Sequence, residues 1–388
     1  MGVDVMQIVR IRSRVVDLPL SAPFHPAWAR GRNQTNILMV LVEVETDEGI
    51  TGYGAAHAGP EAAICIERFV APYFLGQDPA RVERLAAVLR DAEILGPPMY
   101  FMEIPLWDII GKQANLPVYR LWGAASDRVT AYCATAEIRS PEARVRDAER
   151  IVAEGYHAMK LRFHNENPSD DLKVVEAIRA RLGDRMGIMV DANQAGVEPG
   201  HGGHQPWGFQ RTVTVARELE KLGALWLEEP LYRYDYTGLA RLRDKLDTLK
   251  IAGGEDNHGI HEFKDLIDRC CFDILQPDAL LSEGIFQLRK VGGMAEAANL
   301  ELVPHTWGNG MGLLANLHLA ASLPNCAWLE FPHDPPSGFT LQSRDQMLTE
   351  ALTIDTDGAV RVPDRPGFGF ILDEDRIQHH TVATFVSE

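Results

Sequence analysis

Cysteine is scarce in this chain of 388 residues: there are five, Cys65, Cys133, Cys270, Cys271 and Cys326, and no Cys-x-x-Cys pair. An odd number without that spacing implies neither a disulfide framework nor a zinc finger, and a reducing cytoplasm is the expected compartment. Positive charge is also short, with 38 Lys and Arg against 55 Asp and Glu and a net charge of −17. Nucleic acid is excluded as a partner, because binding phosphates needs clustered cations. A small anionic substrate is not excluded, since local cations can line a site on an acidic surface. No apolar run approaches the roughly 20 residues that span a bilayer, and nothing resembles a signal peptide. The first six residues, Met1-Gly2-Val3-Asp4-Val5-Met6, lack the Ser or Thr that a myristoylation signal places sixth. The expectation is a soluble protein with no membrane partner.

What is present is an ordinary globular composition, 46% hydrophobic. The length suits two or three domains, or one barrel with an attachment, and a core large enough to need no covalent staple. Residues 7–18 and 37–45 carry β-branched side chains in near alternation, and Asp47-Glu48-Gly49 punctuates them before 50–53, an antiparallel β pattern. Between them 19–35 holds three prolines and reads as a long loop with His25, Trp28, Arg30 and Arg32. That inventory suits gripping a polar anion, and equally a solvated loop with a tryptophan packed beneath it. Residues 61–73, 80–94 and 102–114 show apolar spacing of three and four, so the N-terminal region is α+β.

After Ser126 short apolar strands alternate with amphipathic helices, strands being expected at 129–133, 158–161, 187–190, 224–227, 251–253, 274–275, 301–303 and 327–329. Eight such units are what a (β/α)8 TIM-like barrel requires. A doubly wound sheet would normally offer a glycine-rich phosphate turn after its first strand, where Cys133-Ala134-Thr135-Ala136 stands instead.

Polar residues then recur at the strand ends: Lys160 and Arg162 in Lys-Leu-Arg, Asp191, Glu228, Glu255, Asp278, His305 and Glu330, successive ones about one β/α unit apart. On a barrel these side chains converge on the C-terminal mouth. Asp191, Glu228 and Glu255 form an all-oxygen set, which suits Mg2+, one ion per subunit. Any one of them alone would read as a helix N-cap. Asp278 and His305, on neighbouring strands, make a carboxylate-oriented imidazole suited to general acid–base work. Glu330 is able to hydrogen-bond a substrate oxygen if burial keeps it protonated.

These pieces, with Asp191-Ala192-Asn193, Glu228-Glu229-Pro230, Gly254-Glu255-Asp256, Pro277-Asp278-Ala279, Pro304-His305 and Trp328-Leu329-Glu330, resemble the enolase superfamily, specifically its mandelate-racemase-like acid-sugar dehydratases, over essentially the whole chain. The resemblance implies a capping domain at 1–127, a modified barrel at 128–352 and a C-terminal segment, 353–388, that returns to the cap. It implies specificity loops from the cap, with 19–35 in the place of the first, and a homo-oligomer between a dimer and an octamer. It also implies the mechanism, a Lys or His base with Mg2+ stabilising an enediolate, a case among the handful of well-known pKa-tuned sites.

Arg162 departs from the commoner Lys-x-Lys, and arginine stays protonated at ordinary pH, so it is a poor base. His305 then becomes the base, able to return its proton to a departing β-hydroxyl. The first expectation is dehydration of an acid sugar to a 2-keto-3-deoxy acid. A lactone cycloisomerase, a racemase or epimerase, a metal-dependent hydrolase and a non-catalytic sugar-acid binding protein are the competing readings. His25, Trp28, Arg30 and Asn193 are the candidate substrate contacts. The Gly- and His-rich stretch 193–210, with His201 and His204, reads either as a solvated insertion or as a lid.

Overall fold

A computed structural model describes residues 5–196 and 206–388. His201 and His204 lie outside the described residues. The N-terminal domain begins with three antiparallel strands, β1 (Ile8–Phe24), β2 (Gln34–Thr46) and β3 (Thr51–His57). The long loop expected at 19–35 is shorter: β1 runs through Pro19 and Pro23 to Phe24, leaving only 25–33 as connection. The prolines are tolerated because the β1–β2 ladder breaks between Pro19 and Phe24, and the other neighbour of β1 stops pairing at Val16. A residue without an N–H costs nothing where no ladder bond is due.

Helical segments follow, Pro60–Cys65 through Ala71–Phe74, Val82–Glu93 and Glu103–Gln113. The last lies close across β3, which Gly52 permits: a Cβ there would stand 2.0 Å from the Pro105 carbonyl oxygen. Its apolar residues Ile104, Leu106 and Ile109 are buried, Ile104 beside Gly54 and Ile109 beside Gly52 of the sheet.

The barrel strands are β4 (Arg128–Ala134), β5 (Ala158–Arg162), β6 (Gly187–Asp191), β7 (Trp226–Glu228), β8 (Lys250–Gly253), β9 (Ile274–Leu275), β10 (Glu301–Leu302) and β11 (Trp328–Pro332). Adjacent barrel strands pair in parallel, in the order β10-β9-β8-β7-β6-β5-β4-β11. Among the described residues no ladder joins β10 to β11; there Leu302 N–H donates to the Asn325 carbonyl at 3.1 Å. Helices such as Pro141–Ala153, Pro168–Leu182 and Phe209–Lys221 return the chain from one strand to the next.

The C-terminal segment carries an element absent from the sequence expectations, β12 (Ala359–Arg361), antiparallel to the first half of β4. From there the chain crosses to β13 (Thr381–Ser387), which pairs antiparallel with β1 and completes the four-stranded sheet β13-β1-β2-β3. Arg14 of β1 joins Glu43 of β2 (2.8 Å) to Glu374 of the C-terminal segment (2.9 Å). Among the described residues no helix is long and apolar enough to cross a membrane.

Candidate active site

One apolar layer crosses the barrel interior, formed by Tyr132, Ala158, Met189, Trp226, Ala252, Ile274 and Val303. Strand side chains alternate faces, so two residues further on each strand points inward again, one layer nearer the C-terminal mouth. Past Ala158 these are Lys160 and Arg162, past Met189 Asp191, and past Trp226 Glu228. Past Ile274 they are Gln276 and Asp278, and past Val303 His305. Glu330 stands two beyond Trp328, which packs on the same layer. Glu255 is three beyond Ala252, and Gly254, at φ +125, resets the alternation there.

Asp191, Glu228 and Glu255 each offer an oxygen, and the three oxygens lie within 4.8 Å of one another. Two buried cations sit among them. Lys160 Nζ is 2.7 Å from Glu228 Oε1, 2.7 Å from Glu330 Oε1 and 3.8 Å from Asp191 Oδ2. Arg162 donates to Asp191 Oδ2, to Asn193 Oδ1 at 3.2 Å and, through Nε, to the Thr135 carbonyl at 2.9 Å. Glu228 Oε2 accepts from Trp226 Nε1 at 3.2 Å and Gln276 Nε2 at 2.9 Å. Burial by itself would lower the Lys160 ammonium, but Glu228 and Glu330 hold it above its ordinary value. Three carboxylates without a histidine or thiolate fit a hard divalent cation such as Mg2+.

The imidazole of His305 places Nδ1 2.9 Å from Asp278 Oδ2 and Nε2 3.1 Å from Glu255 Oε2. An Nδ1–H held by the carboxylate leaves Nε2 as the working nitrogen. Burial opposes the charged ring, yet Glu255, Glu330 and Asp278 together raise its pKa; Glu255, the strongest of these, is also one of the three candidate metal ligands, and a cation there would offset its share. Ser282 braces the site from behind, its Oγ accepting from Asp278 N and donating to the Glu255 carbonyl, both at 3.1 Å.

Above this floor a cavity of about 390 Å³ opens at the mouth, lined in part by Arg162, Asn193, Glu255, Asp278 and His305. Lys160, Asp191, Glu228 and Glu330 are fully buried beneath it. Glu330, fully buried, places its oxygens against Lys160 Nζ (2.7 Å) and the Thr306 N–H (3.0 Å). Asn193, at φ 45, folds back to donate to Asp191 from its backbone N–H (2.7 Å) and side-chain Nδ2 (3.0 Å).

The cap closes the cavity with Trp28 and His57. The Arg162 guanidinium lies 4.8 Å from the Trp28 ring centre and 5.5 Å from that of Trp307, and the two indoles meet edge to face at 5.0 Å. His25 and Arg30, expected as substrate contacts, line an adjoining cavity of about 550 Å³ instead. The loop is pinned by Ala27 N–H to the Ala136 carbonyl (3.0 Å) and His25 N–H to Glu137 (2.9 Å), while Arg30 donates to the His164 carbonyl. Trp28 alone of the three lines the mouth.

Sequence reasoning gave no role to Glu229, Asp256 or His57, all three of which line the cavity. Glu229 and Asp256 each follow a named carboxylate, and strict alternation would turn Glu229 outward. Its φ of 45 brings it in, and it forms with Glu255 and Asp256 a second acidic group within 4.8 Å. His57 comes from the other domain, and nothing local in the sequence marks it.

Residues 9–123 match the family model described as "Mandelate racemase / muconate lactonizing enzyme, N-terminal domain", and residues 143–376 that described as "Enolase C-terminal domain-like". The chain is 32% identical to arabinonate dehydratase of Saccharolobus solfataricus, over 86% of this chain and 88% of that protein. It is 30% identical to D-galactarolactone cycloisomerase of Agrobacterium fabrum, over 96% and 98%. Among solved structures, L-talarate dehydratase of Polaromonas sp. JS666, complexed with Mg and L-glucarate, superposes with a TM-score of 0.84 at 28% identity, covering 98% of this chain and 99% of that one.

Proposed function

The chain belongs to the mandelate racemase and muconate lactonizing enzyme family of the enolase superfamily, and on that footing we propose that it dehydrates an acid sugar, removing the proton α to the carboxylate and expelling the β-hydroxyl to give a 2-keto-3-deoxy acid. The observation that carries this reading is the asymmetry of the mouth. One side presents an imidazole paired with a carboxylate, His305 with Asp278. The other presents Arg162, a guanidinium that cannot serve as a base at ordinary pH. A single acid–base group supports elimination over racemisation, which needs a base on each face. The arabinonate dehydratase likeness points the same way.

In this reading His305 Nε2 takes the α-proton, and Asp278 stabilises the imidazolium that results. The electron pair of the broken C–H bond moves onto the substrate carboxylate, whose growing negative charge Lys160 and Arg162 offset in a dry site. Asp191, Glu228 and Glu255 would hold a Mg2+ ion, which when bound would supply Lewis-acid stabilisation of that same charge. The electrons then return, the β-carbon–oxygen bond breaks, and the leaving oxygen departs as water with the proton from His305. The enol left behind tautomerises to the ketone.

Incubation of the protein and Mg2+ with a library of aldonates and aldarates, assayed for 2-keto acids, tests this directly, and no turnover with any member would sink it. His305→Asn should lower turnover about 10²–10⁴-fold and abolish α-proton exchange in D2O. Persisting exchange would move the base to Lys160 or Arg162. The cycloisomerase likeness favours one second reading, the opening of a sugar-acid lactone by the same proton abstraction. Lactones in the library separate the two, because dehydration yields a product lighter by one water and isomerisation leaves the mass unchanged.

A further inference from the structure

The helix Gly310–Ser322, which follows β10, is buried along its whole length and is almost entirely apolar. A polar side chain in such a place costs free energy unless every hydrogen-bonding atom is used. Asn316 uses all of its own on the two strand ends that carry the acid–base pair. Its Nδ2 donates to Asp278 Oδ1 at 3.3 Å and to the His305 carbonyl at 3.0 Å, and its Oδ1 accepts from Ala279 N–H at 3.0 Å. The orientation of the amide is unambiguous, since exchanging its ends would set an oxygen against two oxygens and an NH2 against an N–H. By contrast His318 of the same helix faces the cap, its Nδ1 accepting from Tyr119 N–H at 3.2 Å.

We infer that Asn316 is a positioning residue for the acid–base step, locking the Asp278 carboxylate and the β10 strand end so that Asp278 Oδ2 is presented to His305. Asp278 Oδ1 is committed to Asn316 and to Leu280 N–H (2.8 Å), which leaves Oδ2 for His305 Nδ1. The same amide ties the Asp278 carboxylate to the His305 backbone, so it sets the spacing of the pair as well as the rotation of the carboxylate. Without it the carboxylate keeps one anchor, and the His305 carbonyl loses its donor. The inference rests on the proposed reaction for its kinetic consequence and on geometry alone for the state of the imidazole.

Two variants and two readouts test it. Asn316→Leu removes all three bonds, and Asn316→Ser, smaller and still polar, keeps the measurement available if the leucine variant unfolds. In folded variants kcat and α-proton exchange should fall together by about 10–100-fold, with KM and Mg2+ binding near those of the parent. In an Asp278→Asn background the same substitution should cost no more than about twofold further, because its effect travels through Asp278. Effects that multiply, or a variant with lower Tm but unchanged kcat per folded molecule, would make Asn316 a packing residue and overturn the inference. The low-field 1H,15N resonance of the His305 Nδ1–H, assigned by its loss in His305→Asn, should disappear or shift in both Asn316 variants. An unchanged resonance overturns the inference too. This readout needs no substrate, so failure of the library screen would count against the dehydration reading and leave the Asn316 test standing.

Discussion

Lys160→Met is the sharpest probe of how the acidic floor is held together. Methionine has nearly the shape of the lysine stem and no charge, so packing changes little. Lys160 is fully buried, and two carboxylates lie 2.7 Å from its ammonium. At an effective dielectric near 20, each contact at that distance is worth about 6 kcal/mol of attraction before desolvation is counted. Most of this is offset by the cost of burying the charges. Removing one partner of such a group, and leaving the others buried, costs about 3–5 kcal/mol net. At about 2–4 °C per kcal/mol, Tm in EDTA should fall by roughly 6–20 °C. Added Mg2+ should stabilise the variant more than the parent, because the carboxylates lack their resident cation and a divalent ion supplies charge there. Thermal unfolding followed by circular dichroism, with and without Mg2+, measures both. A variant that melts in EDTA within about 2 °C of the parent would refute the claim that Lys160 is the counter-ion of this floor.

Trp28→Ala removes the ring that covers Arg162 and closes one side of the mouth. With a cation–π contact worth about 0.5–2 kcal/mol, KM should rise roughly 2- to 30-fold with a smaller change in kcat, and steady-state kinetics would separate the two. Glu103→Gln concerns the junction of cap and barrel, where the fully buried Glu103 carboxyl accepts from Phe286 N–H at 3.2 Å. Burial raises its pKa from 4.5 to about 8. The folded state then binds more protons than the unfolded chain between those values, so this group's contribution to stability falls as pH rises through that window. The glutamine variant should lose that dependence and gain on the parent as pH rises from about 5 to 8. Parallel melting curves of the two proteins from pH 5 to 9 would contradict the assignment.

Much of the fold was legible in the sequence because two periodicities carried it. The alternation of short apolar strands and amphipathic helices after Ser126 marked all eight parallel strands, with ends displaced by at most three residues. The strand-end residues were legible for the same reason: a side chain two places beyond an inward apolar residue must point inward again. The 19–35 segment was harder, because proline argues for a loop only where a ladder bond is due, and which β1 residues lack a partner depends on how far the distant β13 reaches. The strand β12 was missed because three residues carry no period, and its pairing with β4 is made across most of the barrel domain.

The sequence by itself therefore determined the order of the barrel strands, the layer of the acids and bases that obey strand alternation, and the departure from Lys-x-Lys at Arg162. Those properties follow from spacing along one strand and from the chemistry of single side chains. Only the tertiary structure decided which groups meet between elements. It set Lys160 between Glu228 and Glu330, turned Trp28 into the mouth while His25 and Arg30 face an adjoining cavity, and aimed Asn316 at the Asp278–His305 pair. It also turned Glu229 and Glu255 inward through backbone settings that strand alternation does not contain. A contact across the barrel depends on closure of the whole sheet, and no local window of sequence carries that information.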